Sequence, residues 1–176
     1  MNLIKEKIVS DTIDGLIEIK LDTFEDYRGE IWTVFSEEFC DHKFVADKIT
    51  ISEKGVLRGY HGDPYTAKLI SCLHGSFQFS VVDLRKDSKT YGNVENFIMT
   101  DKEPSVILVP AGCINAHQCL TEKCVFYYKW SEHYKGLEHQ ITVSWDDPDI
   151  GTIWQINPPI LSERDKNGEP LGNICL

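Results

Sequence analysis

The chain has 176 residues, 41% of them apolar and 26% charged, which is enough for one well-buried core and short for two domains. Its formal net charge of −10, from 28 acidic against 18 basic residues, repels a phosphate backbone, so nucleic acid is not an expected partner. No stretch approaches the run of about 18 apolar residues that spans a bilayer, and residues 1–7 carry no uninterrupted apolar run of signal-peptide kind. A cytoplasmic protein without a membrane partner is therefore expected.

In chain order, short β-rich segments separated by turn residues are predicted at 31–35, 44–51, 68–73, 76–84, 94–99, 105–109, 124–130 and 140–145. His74-Gly75, between two of them, reads as a tight hairpin turn, with glycine supplying the positive φ. Helical periodicity is nearly absent. The last third, with Pro148, Pro158, Pro159 and Pro170, reads as loop with a short helix near 161–165. No repeat or linker divides the chain, so residues 1–176 are expected to form a single all-β, cupin-like jelly-roll barrel that buries its ligand inside. The six cysteines (Cys40, Cys72, Cys113, Cys119, Cys124, Cys175) form no Cys-x-x-Cys pair and read as free thiols of a reducing compartment, without a zinc spacing.

The chemistry concentrates in Gly55-Val56-Leu57-Arg58-Gly59-Tyr60-His61-Gly62-Asp63, followed by Lys68. An anion anchor, a base that titrates near neutrality and a cation able to hold an oxyanion fall within eleven residues. Arg58 and His61 are three apart, so strict strand alternation puts them on opposite faces. They share a cavity only if Gly59 introduces a bulge or the strand ends at Tyr60. Further along, Tyr127-Tyr128-Lys129-Trp130 forms a strand with aromatics on both faces, one of them a candidate cavity wall. Pro110-Ala111-Gly112-Cys113-Ile114-Asn115-Ala116-His117 carries the Pro-x-Gly turn of cupin barrels, with Asn115 where their metal-binding histidine stands. Few nitrogen or sulfur donors converge, so no metal is expected.

The order Asp26-Tyr27-Arg28-Gly29, Gly55-Val56-Leu57-Arg58-Gly59-Tyr60-His61, Lys68-Leu69-Ile70, Val82-Asp83-Leu84-Arg85, Pro110-Ala111-Gly112, Tyr128-Lys129, Trp145-Asp146-Asp147-Pro148 and Leu161-Ser162-Glu163-Arg164-Asp165 resembles the dTDP-4-dehydrorhamnose 3,5-epimerases over almost the whole chain. The resemblance implies that His61 is the catalytic base, Asp165 the carboxylate orienting it and Tyr128 the general acid on the other face of the sugar. It places Lys68 near the C4 oxygen, Arg58 on the nucleotide diphosphate, and Arg28 at a nucleotide position often completed across a dimer interface. It implies a homodimer that uses no metal, redox or organic cofactor and takes a nucleotide-diphosphate sugar.

The departures fall in segments that line the sugar and base pockets. The family usually reads Leu-His-Tyr-Gln where this chain has Tyr60-His61-Gly62-Asp63, and Gly-Phe-Ala-His-Gly-Phe where it has Gly112-Cys113-Ile114-Asn115-Ala116-His117. The aromatic after Arg-Gly is displaced to Trp32. Asp63, Asn115, His117 and Trp32 are therefore taken as substrate-contact candidates. The combination is similar to a branch acting on GDP-4-keto-heptoses in capsule biosynthesis. Rival readings are a metal-dependent cupin oxygenase or isomerase, which a chelator would inactivate, a 3,4-ketoisomerase, which would move the carbonyl, and a binding module without catalysis.

Overall fold

A computed structural model describes residues 2–174, so Cys175 lies outside the described residues. The strands among the described residues are β1 (Ile4–Val9), β2 (Ile17–Leu21), β3 (Thr23–Asp26), β4 (Gly29–Trp32), β5 (Ala46–Glu53), β6 (Leu57–Gly62), β7 (Lys68–His74), β8 (Ser76–Asp83), β9 (Val94–Thr100), β10 (Ser105–Val109), β11 (Cys113–Cys119), β12 (Lys123–Trp130) and β13 (Ile141–Thr142), with one short α-helix, α1 (Glu163–Lys166), and 3-10 turns at Leu137–His139 and Leu171–Asn173. They form a six-stranded sheet in the order β1-β2-β10-β7-β12-β5 and a five-stranded sheet in the order β13-β6-β11-β8-β9; β3 and β4 make a separate hairpin. Every ladder between these strands is antiparallel. The result is the expected cupin-like jelly roll.

Apolar side chains of both large sheets meet inside the barrel: Ile70, Cys72, Ile107 and Phe126 from one, Phe77, Phe79, Val81 and Met99 from the other. Phe77 and Phe126 close this contact with ring centroids 5.1 Å apart. β8 and β11 are buried along almost their full length because a second core covers their other face. There Leu57, Tyr60, Val82, Ile114 and Ala116 pack against Trp154 and the C-terminal segment. A third core sits outside the six-stranded sheet, where Phe39, Phe35 and Phe44 cover Ile19, Leu69 and Val106.

Three local expectations change. β7 and β8 do not pair with each other; β7 lies between β10 and β12, and β8 between β11 and β9. Gly75, at φ 74°, is a corner between the sheets, held by its N–H donating to Asp101 Oδ2 at 2.8 Å. The predicted strand at 31–35 stops at Trp32, because the chain beyond folds over the outer sheet face as the third core. The C-terminal third, read as loop, is the lid of the second core, and it delivers α1 to the site.

Candidate active site

A cavity of about 180 Å³ opens between the sheets, lined by Arg58, His61, Asn115 and His117 from the five-stranded sheet and by Lys48, Thr50, Lys68, Phe126, Tyr128 and Trp130 from the six-stranded one. Tyr134, Gln140 and Arg164 complete it. Among the described residues the lining holds four Lys and Arg side chains and no carboxylate, on a chain whose net charge is −10. An anionic ligand fits such a wall.

The conflict between Arg58 and His61 is resolved at Gly59. Asn115 lies opposite His61 and His117 opposite Arg58, so three steps along β6 match two along β11. That bulge sends Leu57 and Tyr60 into the outer core and leaves Arg58 and His61 on the cavity. Gly59 sits at φ 119°, and a Cβ there would stand 2.6 Å from the Asn115 carbonyl oxygen, so only glycine makes this turn. Tyr60, turned outward, is satisfied by Ser80 and Thr152 at 2.8 Å each, and burial pushes its phenol up to about 12.

His61 Nε2 is 2.7 Å from Asp165 Oδ1. The oxygen lies off the line of an ideal N–H donor, so the contact is short but bent. The contact places the ring proton on Nε2 and leaves Nδ1 as the basic nitrogen. Burial lowers the His61 pKa below its usual range, with Arg164 and Lys68 adding to this and Asp165 opposing it. Burial also works against ionisation of Asp165, yet His61, the Ser162 hydroxyl (2.7 Å) and the Gly59 N–H (3.3 Å) outweigh it and keep the carboxylate charged. Ser162 is the N-cap of α1, accepting from the Asp165 N–H at 3.2 Å, so the cap that starts the helix also aims the carboxylate.

Lys68, buried on β7, crosses the gap between the sheets. Its Nζ donates to Asn115 Oδ1 at 2.7 Å and to the His61 carbonyl at 3.2 Å. Burial lowers its pKa to about 8, with Lys48 and Arg164 adding and Asp63 and Cys113 opposing. Tyr128, from the opposite wall to His61, packs between Phe126 and Trp130 at ring distances of 5.1 and 6.1 Å. Lys48 rests on Trp130 with its ammonium 3.5 Å from the ring centroid. Arg58 donates to Ser52 Oγ at 3.1 Å.

The cavity thus gathers seven of the ten residues singled out from the sequence: Arg58, His61, Lys68, Asn115, His117 and Tyr128 line it, and Asp165 stands behind His61. Three stand elsewhere. Asp63 is buried in the following turn, accepting from the Tyr65 and Thr66 N–H groups at 2.9 and 2.7 Å, and reaches the site only through Gln140, which donates to it at 2.7 Å. Trp32 packs into the third core. Arg28 lies at the exposed tip of the β3–β4 hairpin, paired with Asp26 at 2.6 Å. Sequence reasoning missed Lys48, Thr50, Gln140 and Arg164. Strict alternation in β5, with Lys48, Thr50 and Ser52 on one face and Ile49 and Ile51 on the other, was the signal for the first two.

A family profile described as dTDP-4-dehydrorhamnose 3,5-epimerase matches residues 10–173. The chain belongs to this family. A dTDP-4-dehydrorhamnose 3,5-epimerase of Methanothermobacter thermautotrophicus is 32% identical over 94% of both chains. A dTDP-4-dehydro-6-deoxyglucose 3-epimerase of Streptomyces is 31% identical, covering 83% of this chain and 79% of that one. The crystal structure of dTDP-4-dehydrorhamnose 3,5-epimerase from Elizabethkingia anophelis superposes with a TM-score of 0.86 at 31% identity, over 97% of this chain and 98% of the other. Membership of the epimerase family makes the chain an isomerase-class enzyme of nucleotide-sugar metabolism and sets aside the reading as a binding module without catalysis.

Proposed function

We propose that this epimerase inverts C3, C5 or both of a nucleotide-linked 4-keto sugar through an enolate, without a cofactor. The observation that carries this reading is the His61–Asp165 pair on one wall facing Tyr128 on the other, with the Lys68 ammonium reaching between them. Protons at C3 and C5 adjoin the C4 carbonyl, and loss of either leaves negative charge on O4. Nδ1 of neutral His61 takes the proton, and Asp165 holds the imidazolium that forms. Lys68 stabilises O4 where water screens little, and Tyr128 protonates the carbon from the opposite face. Arg58 anchors the diphosphate. The departures at Asn115 and His117, which line the cavity, and at Gly62 next to His61 favour a GDP-linked 4-keto-heptose, or a 4-keto-6-deoxysugar, used for capsule or other surface polysaccharide. The free thiols agree with a cytoplasmic setting.

Incubation with dTDP- and GDP-linked 4-keto sugars in deuterated water tests this directly. One deuterium per product marks a monoepimerase and two a 3,5-epimerase, whereas no incorporation from any of them refutes the reading. The exchange rate should rise with pH through a midpoint below 6.5, as His61 becomes neutral, and fall near pH 8, as Lys68 loses its proton. Lys68→Arg should remove the alkaline fall and keep the acid limb; an alkaline fall that persists would take O4 away from Lys68.

The enzyme acts as a homodimer in this proposal. β5 is an edge strand, and its outward face exposes Ile49 and Ile51, each more than 60% accessible. The β3–β4 hairpin adds exposed Phe24 and Ile31 and carries Arg28, which a second copy would bring to a neighbouring cavity. Ile49→Glu with Ile51→Glu should sediment as a folded monomer, and a dimer that survives both changes would place the interface elsewhere.

A further inference from the structure

We propose that the imidazole of His117 reads a hydroxyl group of the bound sugar, which makes it a specificity-determining residue within the nucleotide-sugar reading given above. His117 is 4% exposed and lines the cavity, yet its Nε2 is buried without a hydrogen-bond partner among the described residues. Its surroundings explain why. The ring lies flat on Phe126, centroids 4.1 Å apart at 11°, and meets the edge of Phe77 at 5.5 Å. Neither can hydrogen-bond it in the ring plane. A polar atom buried in this way is costly unless something supplies the missing bond, and a ligand filling the cavity that His117 lines can do so with a small rotation of the ring toward it.

The chemistry of the missing partner follows from the charge on the ring. Burial and the neighbouring Arg58 depress the His117 pKa to about 3, so the imidazole is neutral throughout the working range. It cannot act as a cation for phosphate, a task for which Arg58, its cross-strand neighbour, is at hand. A neutral imidazole offers one donor and one acceptor. A hydroxyl is both, and so fits either tautomer, whereas a methyl or methylene group fits neither. A substrate with hydrogen in place of that hydroxyl leaves the imidazole orphaned, and discrimination by lost pairing is large.

The test is a double-mutant cycle on ground-state binding, which needs no turnover. Affinities of the wild-type enzyme and of His117→Phe are measured calorimetrically for dTDP-glucose, GDP-mannose and their 2-, 3- and 6-deoxy analogues. His117→Leu serves as a second apolar variant should phenylalanine not be accommodated against Phe126. One of the three deoxy positions should cost the wild type about tenfold or more in affinity and cost the variant almost nothing. Coupling below about twofold at every position would overturn the proposal and leave water as the partner of Nε2. Equal weakening of GDP or dTDP alone would also overturn it, by showing a phosphate contact. Failure of the epimerase reading appears separately, as absent deuterium exchange with the binding cycle intact.

Discussion

His61→Asn should abolish solvent exchange at the sugar carbons, by roughly 10³-fold or more, while the fold persists. Asparagine keeps a polar group near Asp165, so the buried carboxylate is not left unpaired, yet it has no basic nitrogen near neutral pH. Tyr128→Phe should behave differently. The base remains, so deuterium still enters the carbon from the His61 side at a rate within about tenfold of wild type, whereas inversion falls by roughly 10²-fold because no proton arrives from the other wall. Proton NMR in deuterated water reads both quantities in one sample. Loss of exchange and inversion in parallel in Tyr128→Phe would give Tyr128 a binding role. Wild-type exchange in His61→Asn would remove His61 as the base.

Much of this site was legible for a physical reason. Residues within one strand obey a period of two, and departures from it announce themselves: Arg58 and His61 sat three apart around a glycine, and the bulge at Gly59 is the solution. The same period, applied to β5, would have put Lys48 and Thr50 on the wall. The pairing of His61 with Asp165, by contrast, joins residues 104 positions apart, through a helix cap and a C-terminal lid whose prolines read as loop. No local pattern encodes that contact, and only the family resemblance suggested it.

The barrel itself followed from strand-rich segments and turn punctuation, but strand partners did not. His74-Gly75 reads as a hairpin turn, yet only Gly75 takes a positive φ, where a type I′ hairpin needs two, and the pair makes a sheet corner instead. What decides is non-local: β10 and β12 occupy both edges of β7 and leave none for β8. Asp63 shows a further limit. A carboxylate after a glycine beside the candidate base His61 looks like a ligand contact, yet its oxygens are consumed by the turn it caps and by Gln140. It meets the cavity only through that amide.

Because the bulge makes the site, Gly59→Ala should be far costlier than an ordinary glycine substitution. Gly59 combines φ 119° with backbone of β11 on the side where a Cβ would project, 2.6 Å from the Asn115 carbonyl oxygen and 2.7 Å from Ala116 Cα. Neither atom can yield without breaking the ladder that holds Asn115 opposite His61. The Gly59 N–H also donates to Asp165, so a shift of β6 would loosen the carboxylate from His61. A destabilisation of roughly 3 kcal/mol or more is expected, lowering the melting temperature by about 10 °C. Gly92→Ala is the control: its φ is similarly positive, at 80°, but nothing lies within 4 Å of its Cβ position, so a loss of about 1–2 kcal/mol should suffice. Calorimetric melting of the two variants separates backbone strain alone from strain with a collision. Equal losses would show that β11 yields after all, and exchange activity surviving in Gly59→Ala would show that Arg58 and His61 reach the cavity without the bulge.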